Sequence, residues 1–118
     1  MIGSTNIRWS ILEEEGIMFA VLNRLLCTPD GRQTVADLMY GAATSMEQCL
    51  HYSIVLDSTD AKAIWVYEVW PSEEAHVASL RLPAVGEAIQ KARPSIESAE
   101  RVFSGHDLKV ARDCLSSA

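Results

Sequence analysis

The chain has 118 residues, 48% of them hydrophobic and 22% charged, with a formal net charge of −6. That length holds one domain around one core. The acidic balance, with scattered Lys and Arg, excludes the basic face that nucleic acid or an anionic membrane would need, and no apolar run reaches the roughly 18 residues of a membrane-spanning helix.

No basic segment followed by an apolar stretch is visible at the start, so a cytoplasmic location is the expectation. Cys27, Cys49 and Cys114 are odd in number and widely spaced, with no CxxC. That pattern argues against a disulfide framework or a zinc site, and no metal is expected. Cys27 and Cys49 fall at the ends of apolar segments and read as small core residues.

Residues 1–16 read as a tail. Trp9, Ile11 and Leu12 could pack, but Glu13-Glu14-Glu15 is a solvated run and Gly16 breaks the pattern. The almost continuously apolar IMFAVLNRLLC predicts a strand over 17–27. Thr28-Pro29-Asp30-Gly31 is a turn and helix start, with Thr28 or Asp30 as the cap. Val35, Leu38, Met39, Ala42 and Ala43 then recur at helical spacing over about 31–45.

QCLHYSIVLD predicts a second strand over 48–57, with Leu50, Tyr52, Ile54 and Leu56 on one face. The polar turn Asp57-Ser58-Thr59-Asp60 makes AIWVYEVW, 63–70, its hairpin partner. Pro71 stops that strand. Ser72 caps a helix to about Leu80, with Glu73 and Glu74 favouring its dipole. Pro83 opens another helix, striped by Val85, Ala88, Ile89 and Ala92 and ended by Pro94. SIESAERVFS, about 95–104, reads as a fourth and weaker strand, and 105–118 as a polar tail.

The order β-α-β-β-α-α-β describes an α+β, ferredoxin-like split βαβ sandwich. Its four-stranded antiparallel sheet has helices on one face, and the domain spans 17–104. The first and third strands are nonetheless apolar on both faces. Such a sheet needs a second cover, and a second copy packed sheet on sheet, a homodimer forming an α+β barrel, supplies it economically.

The third strand and following helix concentrate unusual residues at one corner: Glu68-x-Trp70, Pro71, Ser72, and His76 one turn into the helix. Side chains alternate along a strand, so Glu68 and Trp70 share a face. Each is open to two readings. Trp70 is either core or pocket lining, and Glu68 is either a paired structural carboxylate or a cavity group. Asn23, polar in an apolar strand, is bonded internally or binds a substrate oxygen. His76 is a solvent-facing helical residue or a base that titrates near neutrality. His51 points to the face opposite Tyr52, and His106 falls in the tail. The dinucleotide, phosphate-loop and zinc-protease motifs are absent from the sequence.

Cys49-Leu50-x-Tyr52, the hairpin, Tyr67-Glu68-x-Trp70-x-Ser72-x-Glu74-Ala75, the helix through Ala78-Ser79-Leu80, and Arg93-Pro94 together resemble the antibiotic biosynthesis monooxygenase family over about residues 17–104. The resemblance implies the dimeric ferredoxin-like barrel. It also implies, for some members, oxidation of quinone precursors by O2 without metal or flavin, and for others heme degradation. Trp70 matches a pocket Trp of the anthrone-oxidising members. Val66 stands where those members have Asn, and His76 where they have Tyr. Asn23-Arg24 resembles a pocket-facing pair of the heme-degrading members, whose helical Trp falls at Ser79. Many quinol-oxidising relatives carry a His at the Ser79 position.

The leading expectation is a cofactor-independent monooxygenase acting on an electron-rich phenol, quinol or anthrone-like ring, with O2 as co-substrate. Trp70 would pack on the ring, Asn23 would hydrogen-bond its oxygen, and His76, or else Glu68, would take the proton. Glu68, Tyr52, Val66 and Ser79 would line the substrate. The alternative is a non-catalytic dimer that binds a small molecule. Heme degradation lacks its Trp and His.

Overall fold

The computed structural model describes residues 18–107. The readings placed on 1–17 and 108–118, including the N-terminal tail and Cys114, lie outside the described residues. Strand β1 is Met18–Cys27, helix α1 Arg32–Ala43, β2 His51–Leu56, β3 Ala63–Trp70, α2 Glu73–Ser79, α3 Pro83–Ala92, and β4 Ile96–Asp107. A short 3-10 turn, Arg93–Ser95, joins α3 to β4. The four strands form one antiparallel sheet in the order β2-β3-β1-β4. β1 and β2 therefore flank β3, which is the split βαβ arrangement of the ferredoxin-like α+β fold.

Register assigns the faces. On the helix-covered face, Tyr52, Glu68, Val21 and Ser104 form one row across the sheet, and Ile54, Val66, Asn23 and Arg101 the next. From the second row outward, Val66, Ile64, Cys27, Val35 and Ala92 make an apolar core with α1 and α3. At the opposite end Phe19, Val21 and Trp70 form a second cluster, against which Met46, Cys49 and Ala75 pack.

The other sheet face is apolar too. It carries Leu22, Trp65, Tyr67 and, at the edges, exposed Val55 and Phe103. His51 is on this face, its ring 5.8 Å from that of Tyr67.

Several boundaries differ from the sequence expectation. No side chain caps α1: Gly31 sits at the cap position instead of Thr28 or Asp30. The Gly31 backbone passes so close to Ser95 that a Cβ there would stand 2.8 Å from the Ser95 Cβ, and closer still to the Thr28 hydroxyl. Close approach, not capping chemistry, selects the residue.

β2 begins at His51 because residues 45–49 are taken up by turns, with Ser45 N–H donating to Ala42 O and Cys49 N–H to Met46 O. β4 runs through Asp107, so 105–107, read from sequence as tail, are strand, and His106 pairs with Phe19. On α3, Val85 and Ala92 are buried while Ile89 is largely exposed.

Candidate active site

Pro71 and Ser72 make the corner. The Ser72 hydroxyl accepts from Ala75 N–H at 3.1 Å, capping α2, whose first turn carries Glu73 and Glu74. This cap fixes the angle at which α2 returns over the end of β3. His76 is thereby buried, its ring centroid 5.6 Å from Trp70 in an edge-on arrangement and 5.7 Å from Phe19.

Glu68 lies beneath this aromatic group. Trp70 Nε1–H donates to Glu68 Oε1 at 3.0 Å. His76 Nε2 stands 3.8 Å from the same oxygen, a close approach beyond hydrogen-bond length. Burial pushes the Glu68 carboxyl above its ordinary value, partly offset by the Trp70 bond and by the nearby positive charge of Arg101. His76 is pushed down, first by burial and then by Arg101, against a small opposing pull from Glu73. The pair therefore consists of a carboxyl that gives up its proton late and an imidazole that is neutral at pH 7.

Of the two sequence readings of His76, the solvent-facing one gives way here, and Trp70, read as core or pocket lining, is buried. His76 is 5% exposed and Trp70 1%, because the α2 cap folds the helix down onto the strand end.

A cavity of about 250 Å³ lies between sheet and helices. Its walls are apolar side chains such as Leu25, Met39, Val85 and Ile89, interrupted by Tyr52, Glu68 and Ser79. The Tyr52 hydroxyl is pushed far up, by burial and then by the Glu68 charge. Ser79 donates to His76 O at 2.6 Å, which occupies its proton.

Asn23 and Val66 line a neighbouring cavity, also about 250 Å³, with Arg101. It shares Leu25, Met39 and Ala99 with the first. Trp70 reaches a third cleft, of about 280 Å³, near Met46 and Ala78.

The sequence-selected residues thus fall in three places. Glu68, Tyr52 and Ser79 share the central cavity. Asn23 and Val66 share its neighbour. Trp70 and His76 stand behind Glu68. Arg101 escaped the sequence reading. The signal that hides it is a register shift between Leu22 and Asn23, which leaves Val102 unpaired and turns Arg101 onto the helix face. Among the described residues no cluster of three or more His, Cys, Asp or Glu side chains could hold a metal ion, and no helix is long and apolar enough to cross a membrane.

The fold is that of the α+β ferredoxin-like class, here with a buried carboxyl on the wall of an apolar cavity. Residues 18–91 match the family model for antibiotic biosynthesis monooxygenases, and the chain belongs to that family. A solved protein from Chloroflexus aurantiacus J-10-fl that carries the family's name is 35% identical. It superposes with a TM-score of 0.69 over 80% of this chain and 94% of that one. Proteins of the same family name share the fold at lower identity. The one from Deinococcus radiodurans is 18% identical, with a TM-score of 0.67 over 79% of this chain and 95% of that one. The one from Nitrosomonas europaea is 9% identical, with a TM-score of 0.64 over 80% and 89%. No curated protein matches the sequence.

Proposed function

We propose that this domain is a monooxygenase that oxidises an electron-rich phenol, quinol or anthrone-like ring with O2, the substrate itself supplying the electrons. The observation that carries the reading is Glu68, a buried carboxyl of raised proton affinity on the wall of an otherwise apolar cavity. Such a group is suited to taking a proton from a weak carbon or oxygen acid.

For a ring methylene the balance is simple. Glu68 removes a proton, and the carbanion gives its electrons to O2 as a C–O bond forms. The peroxide then takes a proton back from Glu68 and eliminates water, leaving a carbonyl. The apolar walls exclude water and strengthen each polar contact. His76 and Trp70 hold the carboxylate in place from behind, and Tyr52 faces the substrate.

An oxygen electrode with a panel of anthrones and hydroquinones tests this. Uptake is expected with at least one of them. If none supports uptake, the second reading takes its place: a binding domain without turnover. What favours that reading is Val66, which stands on the wall where anthrone-oxidising relatives carry an Asn.

The apolar outer face supports a homodimer, since a patch bearing Trp65, Tyr67, Leu22 and Phe103 is rarely left in water. Light scattering should give about twice the 13.0 kDa chain mass. A monodisperse monomer at micromolar concentration would sink that assembly.

A further inference from the structure

The neighbouring cavity holds two polar side chains with no assigned partner. Asn23 and Arg101 face each other as a register pair across β1 and β4, on the helix-covered side. Both line this cavity. Among the described residues, Arg101 forms no salt bridge and the Asn23 amide makes no hydrogen bond.

Register sets Arg101 on the helix-covered face, at the lining of this cavity, and its positive charge lowers the proton affinity of both Glu68 and His76. Glu100, also at this cavity, belongs by register to the opposite face, where it pairs with Arg24. The carboxylate nearest in sequence is thus turned away from the Arg101 fork.

From this arrangement we infer that Asn23 and Arg101 form a subsite for an anionic oxygen, and that the substrate is an aromatic compound bearing a carboxylate or similarly charged oxygen on the side of the ring that faces the neighbouring cavity. The inference rests on the proposed binding of an aromatic ring in the central cavity. The two cavities are contiguous along Leu25, Met39 and Ala99, so one ligand can place its ring beside Glu68 and its charged group beside Arg101.

Arginine suits the task because its planar fork matches two carboxylate oxygens, and the Asn23 amide can add a third donor.

The test needs no turnover. 2-Naphthoate and 2-naphthamide are nearly the same shape and differ in charge, and their affinities can be measured by titration calorimetry at low ionic strength. Wild-type protein should bind the naphthoate at least about 10-fold more tightly, the scale of one charge-assisted contact. Arg101→Gln, at an exposed position that folding tolerates, should erase that preference while changing naphthamide affinity by less than about 2-fold. Asn23→Ala should weaken naphthoate more than naphthamide.

Equal binding of the two ligands by wild type would overturn the subsite. So would a preference that survives Arg101→Gln, or no binding of either ligand. A retained preference in a protein that consumes no O2 would leave the subsite standing and remove only the oxygenase.

Discussion

Strand β3 carries two Trp–carboxylate pairs, one at each end, and they titrate in opposite directions. At the hairpin end Trp65 Nε1–H donates to Asp57 Oδ2 at 2.8 Å. At the corner end Trp70 Nε1–H donates to Glu68 Oε1 at 3.0 Å. The donor is the same and the distances nearly so.

Asp57 is nonetheless held well below the usual carboxylate range, first by the Trp65 bond and then by the Thr59 and Asp60 donors. Glu68 is raised, because burial outweighs the Trp70 bond and Arg101. An indole hydrogen bond therefore does not set the sign. Solvation and the number of further donors do.

The hairpin pair belongs to a structural knot. The Arg32 guanidinium donates to the carbonyls of Asp57 and Asp60 at 3.0 and 3.1 Å, tying α1 to the turn. Arg24 pairs with Asp60 at 3.1 Å. The corner pair faces a cavity instead.

The sharpest way to separate the two ends is to convert each carboxylate to its amide. Glu68→Gln should have the largest effect: O2 uptake falling roughly 100- to 10,000-fold, the range for loss of a general base. Stability should move the other way. A folded-state value raised above the unfolded one means that the buried carboxyl stabilises the fold when protonated. That contribution is present at low pH and is lost as pH rises through the folded value. Gln keeps an oxygen for Trp70 and cannot ionise, so at pH 7 its melting temperature should equal or exceed that of wild type. Full activity in Glu68→Gln, measured beside a normal melt, would move the base elsewhere, with Tyr52 and His76 next.

Trp70→Phe sharpens the same end with a smaller effect. It removes the donor that favours ionised Glu68, so the acid limb of the pH–rate profile should shift to higher pH, with turnover above the limb within about 10-fold of wild type. The buried indole also fills space, and its loss should cost about 1–4 kcal/mol. An acid limb that stays in place while stability falls would mean that the limb does not report Glu68.

The fold was legible because β1 and β3 are long apolar runs, and because Pro71 and Ser72 punctuate the chain at the corner. The caps and edges were less so. Gly31 is chosen by its approach to Ser95, a residue more than sixty positions away in sequence, and nothing near position 31 announces that contact. Glu68 and Trp70 could be placed on one face from alternation alone. The burial of His76 could not, since it depends on the angle set by the Ser72 cap. Arg101 was hidden by the two register shifts in β4, which break the period-two signal that exposes a face.

The smallest expected effect lies at the hairpin. Asp57→Asn leaves one acceptor oxygen where the carboxylate now serves Trp65 Nε1–H, Thr59 N–H, the Thr59 hydroxyl and Asp60 N–H. The depressed folded-state value makes the ionised group stabilising at neutral pH, and that contribution is lost as pH falls through the carboxylate range. The variant should therefore melt somewhat below wild type at pH 7, with the gap full above about pH 5 and narrowing below about pH 4. This is the opposite sign to Glu68→Gln for the same chemical change. Oxygen uptake and naphthoate binding should be unaltered, because Asp57 touches neither cavity. Thermal melts from pH 3 to 8 decide the matter. A variant as stable as wild type throughout would show that this half-buried carboxylate contributes nothing in solution. Lost turnover with a normal melt would show instead that the hairpin end is coupled to the corner, and the division between the two ends of β3 would fail.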